Sequence, residues 1–438
     1  MADTAERTTT DDVIADVTAW LEESWDPDLT VAEWWDHLGT SGWAAPTWPV
    51  ESFGRGLSRN EGVAVQRAIQ EFGALGAPGG LGLLLAGPTI VAHGDEEQRQ
   101  RYLRDIVTGQ KAWCQLFSEP GAGSDLAGLN CKAVRDGEEW IVSGQKVWTS
   151  GGQIADLGML IARTDPDVPK HQGITYFAID MHQPGVDVRP LRELTGRALF
   201  SEVFLSEARV PTDAVIGGLN NGWAVANTTL MHERAGLGAG GGSAGGSAAT
   251  PGTVAGDLDK RVGDFVGGGS RRGGGGGGAF AAAEKLLVDL ARGAGRLGDS
   301  SIRQDLMRLH TLNELGRFAN LRAKEARAHG KDLPGAANIA KLSMSRIVRL
   351  SRDTGLRILG PLGTLHAYSS EQKAVLDAAT GNPFAGMVTE MSLFAQAPPI
   401  YGGTDEVQKN IIGERVLGLP KEPSNDRTLP YRELPKNG

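Results

Sequence analysis

The stretch Lys132–Gly144, KAVRDGEEWIVSG, divides this chain. Two short runs flank Asp136-Gly137, the strongest short-range hairpin signal. Short runs continue after it: GMLIART, GITYFAIDM, VDVRPL and SEVFLSEARV, separated by Gly and Pro. Strands so closely spaced predict a small β-barrel or sandwich, starting near Trp113 and ending around Val210-Pro211.

Helical spacing holds on both sides. Residues 11 to about 112 read as helix: TVAEWWDHLGTSGW carries Trp34, Leu38 and Trp43, and EEQRQRYLRDIVTG turns Tyr102, Leu103 and Ile106 inward before stopping at Gly109. Beyond the β region, Ile302, Leu306, Leu309 and Leu312 mark one face of a long helix. AANIAKLSMSRIVRLSRDTGLRIL is another, and a last one runs from about Thr404 to Leu417. The predicted fold class is α+β multidomain: a helical domain over 1–112, a β-barrel over 113–212, a C-terminal helical bundle over 213–420 and a tail over 421–438.

The composition is that of a soluble globular protein, 40% hydrophobic and 22% charged over 438 residues. The formal charge of −9 argues against a large nucleic-acid footprint. Two cysteines, Cys114 and Cys131, make neither a disulfide framework nor a cysteine zinc site. The opening MADTAERTTTDDVIADV is polar and acidic, unlike a signal peptide, and no apolar run reaches membrane-spanning length. The expected location is cytoplasmic, with no metal. Much of the chain's 62 glycines lies in 236–278, read as a flexible insertion; its SRRGGGGGG is too thin a basic signal for RNA.

Chemistry concentrates in three places. WCQLFSEPGAGSDLAG joins a strand to a Gly-Ala-Gly-Ser-Asp turn, whose N–H groups and hydroxyl suit an anion. SGQKVWTSGG ends a strand with an indole and hydroxyls, able to cover a flat ring and bond its edge. IYGGTDEVQ places a glycine pair ahead of a helix, so its backbone can press against a ligand.

Taken in order, LFSEPGAGSD, GQKVWTSGG, FLSEARVP, GWAVANTTLMHER and IYGGTDEVQ resemble an acyl-CoA dehydrogenase, over about residues 35–235 and 300–420. The resemblance implies an N-terminal helical domain, a central β-barrel and a C-terminal four-helix bundle. It also implies FAD between barrel and bundle. On that alignment Gln115, Phe117 and Ser118 border the flavin, and Gly123 and Ser124 lie by phosphate and substrate. Trp148 and Ser150 flank the ring system. LRILGPLG puts Arg357, Leu359 and Gly360 near the cofactor, and Thr404 and Glu406 touch it from the last helix. Substrate contacts fall to Ser124, Met231, Arg234, Gly402 and Gly403.

Many similar proteins hold a catalytic glutamate immediately after the tyrosine of the glycine turn. Here that place is Gly402. A second branch carries its glutamate before an arginine on the helix that opens the C-terminal domain, and LMHER offers Glu233-Arg234 there. Glu233 is therefore the expected base, with its pKa raised in an apolar pocket. The Gly402 N–H is then free to hold the thioester oxygen. HER lacks the second histidine of a zinc protease.

The implied activity is FAD-dependent conversion of an acyl-CoA to a trans-2-enoyl-CoA, with an electron-transfer flavoprotein as acceptor and a homo- or hetero-oligomeric assembly. The alternatives are a non-catalytic or half-site subunit of a hetero-oligomer, and an acyl-CoA oxidase. The chain departs from the family pattern where an Arg-x-x-x-Phe-Gly stretch usually follows the Glu-Arg helix; Arg292, Arg296 or Arg303 is the nearby candidate to replace its arginine. Arg357 and Pro361 stand where Gln and Gly are more usual.

Overall fold

The computed structural model describes residues 9–238, 248–266, 276–331 and 333–435. The N-terminal unit holds α1 (Thr10–Ser24), α2 (Val31–Thr40), α3 (Arg59–Phe72), α4 (Gly87–His93) and α5 (Glu96–Val107). Capping boxes open α1, α2, α3 and α5 at Thr9, Thr30, Ser58 and Asp95. Trp34, Trp35 and Leu38 are fully buried, as are Leu103 and Ile106. The Trp34 and Trp35 indoles donate to the Leu75 and Gly76 carbonyls at 2.7 and 2.9 Å, so their burial leaves no orphaned donor. A π-helical turn, Gly82–Ala86, leads into α4.

The middle unit is one eight-stranded sheet. Its strands are β1 (Trp113–Leu116), β2 (Lys132–Asp136), β3 (Glu139–Ser150), β4 (Leu157–Arg163), β5 (Ile174–Asp180), β6 (Val186–Leu191), β7 (Phe200–Pro211) and β8 (Val215–Ile216). The order is β6-β7-β3-β2-β4-β5-β8, with β1 laid parallel beside β4. The expected hairpin forms: Arg135 faces Trp140, and Gly137 takes φ 62° at the turn. Cys114 and Cys131 are unbridged and buried, which pushes their thiols up to about 12 and about 11.

The C-terminal unit holds α6 (Gly222–Gly238), α7 (Gly276–Gly293), α8 (Ser300–Ala328), α9 (Ala336–Leu359), α10 (Ser370–Thr380), α11 (Ala385–Phe394) and α12 (Asp405–Ile411), which runs into a π-turn, Ile412–Val416. The three-part architecture read from the sequence therefore holds. Packing divides it into two cores. Helices α7, α8, α9 and α11 enclose Leu287, Ile302, Leu309, Leu359 and Val388. α6 instead buries Val225 and Ala226 with the N-terminal helices and the sheet. Among the described residues, no helix is long and apolar enough to cross a membrane, and no side-chain group is arranged to hold a metal ion.

One expectation is corrected. The insertion 236–278 was expected to be flexible throughout, yet residues 248–266 are packed. Val31 N–H donates to Lys260 O at 2.8 Å and Ala32 N–H to Leu258 O at 2.9 Å, and Val262 is fully buried. Asp156, 2% exposed, accepts from Ala112 N–H at 2.7 Å and from the Thr253 N–H at 3.2 Å and hydroxyl. Gly252 takes φ 98° and passes so close that a Cβ would lie 2.5 Å from Ala112 Cβ. Glycine here permits a close approach rather than freedom. Residues 239–247 and 267–275 of the insertion lie outside the described residues.

Asp156→Ala should strand the buried Ala112 N–H and unpin Thr253. A loss of about 2–4 kcal/mol in urea unfolding is expected, with new protease cleavage inside 248–266.

Candidate active site

The Gly-Ala-Gly-Ser-Asp loop is built around a buried ion pair. Lys146, on β3 and fully buried, donates to Glu119 at 2.9 Å and to the Phe117 carbonyl at 3.0 Å. The Glu119 carboxylate also accepts from Asn130 N–H at 2.6 Å and Cys131 N–H at 2.9 Å. Both ends of the loop are thereby tied to one charge pair, and Val147 N–H adds a bond to Ser118 O at 2.9 Å. Arg163 braces the far side by donating to the Ala127, Lys170 and Leu129 carbonyls. Lys170 holds Asp125 at 2.9 Å and Asp426 at 2.7 Å. Gly123 and Ser124 are left exposed at the tip.

Just past Lys146, β3 changes register against β7 between Lys146 and Thr149. Trp148 sits in that irregularity with φ 61°, a left-handed conformation uncommon for a bulky residue. Its indole is 57% exposed and meets Phe200 edge-on, centroids 5.8 Å apart. Strain of this kind is tolerated where the surroundings enforce it and is concentrated at functional sites. The neighbouring Thr149 and Ser201, paired across β3 and β7, are fully buried and their hydroxyls have no protein partner. The exposed indole offers a flat surface on which a planar ring could lie.

Glu233 lies on α6, whose register is set by buried hydroxyls: Thr229 meets Thr89 at 2.9 Å and Tyr176 at 3.3 Å, and Thr228 meets His93 at 2.7 Å. Across from it on β1, Gln115 Nε2 donates to Glu233 Oε2 at 3.3 Å. Burial raises the Glu233 carboxyl above its usual 4.5, while the Gln115 bond and Arg234 pull it partly back. Met231 and Arg234 are exposed beside it. Partial desolvation of its guanidinium lowers Arg234, Glu233 raises it, and Arg415 of the π-turn lowers it further, so the end of α6 and the last helical turn approach each other.

The glycine turn is held by side-chain hydrogen bonds. Gly402 and Gly403 take φ 63° and 80°. Gln408 Nε2 donates to Gly402 O at 2.9 Å, and Asn338 donates to Gln408 Oε1 at 2.6 Å. Thr404 caps α12 by accepting from Val407 N–H at 3.1 Å. Asp405 is buried against Lys341 at 3.0 Å and Arg349 at 3.4 Å. α9, which supplies those cations, also packs on α6.

Some residues implied by the resemblance stand differently. The Phe117 ring is buried edge-on against Tyr176, and Leu359 fills the helical core, which leaves only their backbones for a ligand. Arg357 is already paired with Asp305. The Glu406 side chain is 76% exposed, 3.8 Å from Lys409. Gly360 is exposed, and Ser118 and Ser150 are part-buried. Lys146 and Glu119 were missed, although Glu119 stands inside LFSEPGAGSD and Lys146 inside GQKVWTSGG. A cleft of about 440 Å³ near His93, Asp95 and Trp140 is lined by none of these groups.

Family models for the acyl-CoA dehydrogenase N-terminal, middle and C-terminal domains match residues 1–110, 114–207 and 272–417. The chain belongs to the acyl-CoA dehydrogenase family. It is 36% identical over 384 residues to the acyl-CoA dehydrogenase FadE34 of Mycobacterium tuberculosis, covering 88% of this chain but 46% of that protein. To the acyl-CoA dehydrogenase IpdE1 of the same organism it is 33% identical over 392 residues, 89% of this chain and 88% of that one. Its fold is similar to the ChsE4–ChsE5 complex from M. tuberculosis, with TM-score 0.65 and 26% identity, covering 96% of this chain and 100% of that one. The chain thus spans about half the length of the first of these relatives.

Lys146→Met should leave Glu119 buried and unpaired, at a cost of about 3–5 kcal/mol in denaturant unfolding. Glu119→Gln in that background should recover part of the loss. Glu233 gives a pH signature of opposite sign to an ion-paired acid. Its native pKa is raised above 4.5, so the folded state holds the extra proton and stability falls as pH rises from 4.5 through the raised value. Glu233→Gln should therefore raise the thermal midpoint at pH 8 and leave it nearly unchanged at pH 4.

Proposed function

We propose that this acyl-CoA dehydrogenase family member removes an α-proton and a β-hydride from an acyl-CoA, giving a trans-2-enoyl-CoA, with Glu233 as the base. The observation that carries this is the carboxylate of Glu233, raised by burial and steadied by Gln115 at 3.3 Å. A raised carboxylate is a stronger base toward a weakly acidic C–H, and Gln115 fixes which oxygen is presented. The Gly402 N–H, on a turn locked by Gln408, is the donor assigned to the thioester oxygen, where negative charge grows as the proton leaves. Ser124, Met231, Arg234 and Gly403 border the acyl-CoA.

FAD is the cofactor in this reading, held by Ser118, Trp148 and Ser150, by the Gln115 and Phe117 segment of the chain, and by Gly123 and Ser124 at its phosphates. Arg357, Leu359, Gly360, Thr404 and Glu406 are the C-terminal contacts, with Leu359 acting through its backbone. When bound, FAD supplies the acceptor for the β-hydride. An electron-transfer flavoprotein is the proposed oxidant of the reduced enzyme, and the cytoplasm the proposed location. Assembly with an unlike acyl-CoA dehydrogenase chain is a second reading. It is supported by the similarity to a two-protein complex and by Arg357 being already occupied with Asp305.

Anaerobic addition of an acyl-CoA panel to the FAD-supplemented protein should bleach the flavin absorbance with one acyl class. Glu233→Gln should keep the flavin and slow bleaching by about 10²–10⁴-fold. Bleaching at the native rate in that variant would remove Glu233 from its role. Bound flavin that no acyl-CoA reduces would overturn the reaction.

A further inference from the structure

Past α12 and its π-turn, the chain returns to the middle unit, where residues 424–434 lie along the connection between β4 and β5. Tyr431 N–H donates to Val168 O at 2.9 Å and Arg432 N–H to Pro166 O at 3.1 Å, and Pro430 pairs with Pro169 as an isolated antiparallel bridge. Ion pairs border this contact, Asp426 with Lys170 and Arg432 with Asp167. The same connection meets α6: His171 stands edge-on to Trp223, centroids 4.9 Å apart. One stretch of chain thus starts at the glycine turn and finishes on a connection that also touches the helix carrying Glu233.

Tyr431 is where this stretch reaches the Gly-Ala-Gly-Ser-Asp loop. It is 7% exposed, and its hydroxyl donates to Asn130 Oδ1 at 2.7 Å, with Gly128 O a second acceptor at 3.2 Å. Its ring lies over the Arg163 guanidinium, 3.5 Å from Cζ to the ring centroid. The in-plane donors of Arg163 go to the Ala127, Leu129 and Lys170 carbonyls. A guanidinium so used has only its faces left, and an aromatic ring covers a face without needing a hydrogen bond. Two of those carbonyls, and both groups that the hydroxyl meets, belong to residues 127–130, the far stem of the loop that presents Gly123 and Ser124. Lys170, between Asp125 and Asp426, ties the turn itself. Glu119 holds this stem from inside through Asn130 N–H, and Tyr431 closes it from outside.

We propose that Tyr431 is a positioning residue for this loop, and that residues 424–434 strap it in the geometry in which it receives FAD. The strap touches no reacting atom and acts through Arg163, Asn130 and Asp125. Losing the Tyr431 ring opens one face of a buried guanidinium to water and loosens the three carbonyls that it gathers. The signature is weaker binding with the chemical step untouched, because Glu233 and Gln115 keep their own contacts. For its ligand this assignment rests on the FAD reading above; the order of the loop does not depend on it.

The test compares the full-length native protein with Tyr431→Ala, Tyr431→Phe and Val17→Ala, the last a truncation of a buried side chain in α1. Hydrogen exchange is read over residues 121–131, and FAD affinity by fluorescence titration. Tyr431→Ala should lose about tenfold in protection over 121–131 and about tenfold in FAD affinity. Tyr431→Phe keeps the ring over Arg163 and should lose about threefold in each. Val17→Ala should lower the unfolding midpoint and leave both readouts at their native values. In turnover, Tyr431→Ala should raise the acyl-CoA KM while kcat stays within about twofold. Unchanged exchange over 121–131 in Tyr431→Ala, or an equal loss in Val17→Ala, would overturn the proposal. Should Tyr431→Ala not fold, Asp426→Asn, which removes the strap's charge facing Lys170, takes its place: faster exchange over 121–131 supports the strap and unchanged exchange removes it. The two readings separate. Exchange altered as expected in protein that binds no FAD removes the cofactor and keeps the strap as holder of the loop. FAD bound equally by native protein and Tyr431→Ala removes the strap's role and keeps the cofactor.

Discussion

The buried Lys146–Glu119 pair holds together what the rest of the site is hung on. Two charges out of water cost several kcal/mol each unless every donor and acceptor is matched. Here Glu119 takes two backbone N–H groups and Lys146 a backbone carbonyl besides each other. Those backbone partners are the two stems of one loop, and Lys146 itself stands on the strand that carries Trp148. The pair therefore works less as a source of net stability than as a registry pin. A slip of β3 by one residue would expose Lys146 and bury a neighbour with nothing to meet Glu119.

The same logic recurs at a lower charge density. α6 crosses from the N-terminal helices to the sheet, and three hydroxyls fix its rotation: Thr89, Thr228 and Thr229. Fixing that rotation is what points Glu233 at Gln115. The glycine turn is fixed through Gln408 and Asp405, and both cations that hold Asp405 come from α9. The two walls of the site are thus positioned by polar contacts made away from it, on helices that share α9 as a support.

Much of this was legible in the sequence, for identifiable reasons. The Asp136-Gly137 hairpin and the inward Trp34, Leu38, Leu103 and Ile106 follow local periods, which a single sequence displays. Glu233 was proposed through the order of short motifs. What stayed hidden depends on distance along the chain. Lys146 and Glu119 stand 27 residues apart, and the register change after Lys146 breaks the two-residue alternation that would mark it as inward. Leu359 was assigned to a ligand loop, but the helix continues to it and turns it into the core. The insertion misled through composition: its glycines read as freedom, while Gly252 serves contact and Asp156 holds Thr253 from 97 residues away.

The two cysteines carry a consequence of a different kind. Cys114 lies on β1 beside Gln115, and Cys131 closes the loop that Glu119 ties. With thiols pushed up to about 12 and about 11, almost none of either is thiolate at neutral pH, and both are shielded from solvent. Alkylating reagents can reach them only when the sheet or the loop opens. The chain thus contains two internal clocks, one on β1 and one at the foot of the loop that Glu119 ties, whose modification rates record how often each opens.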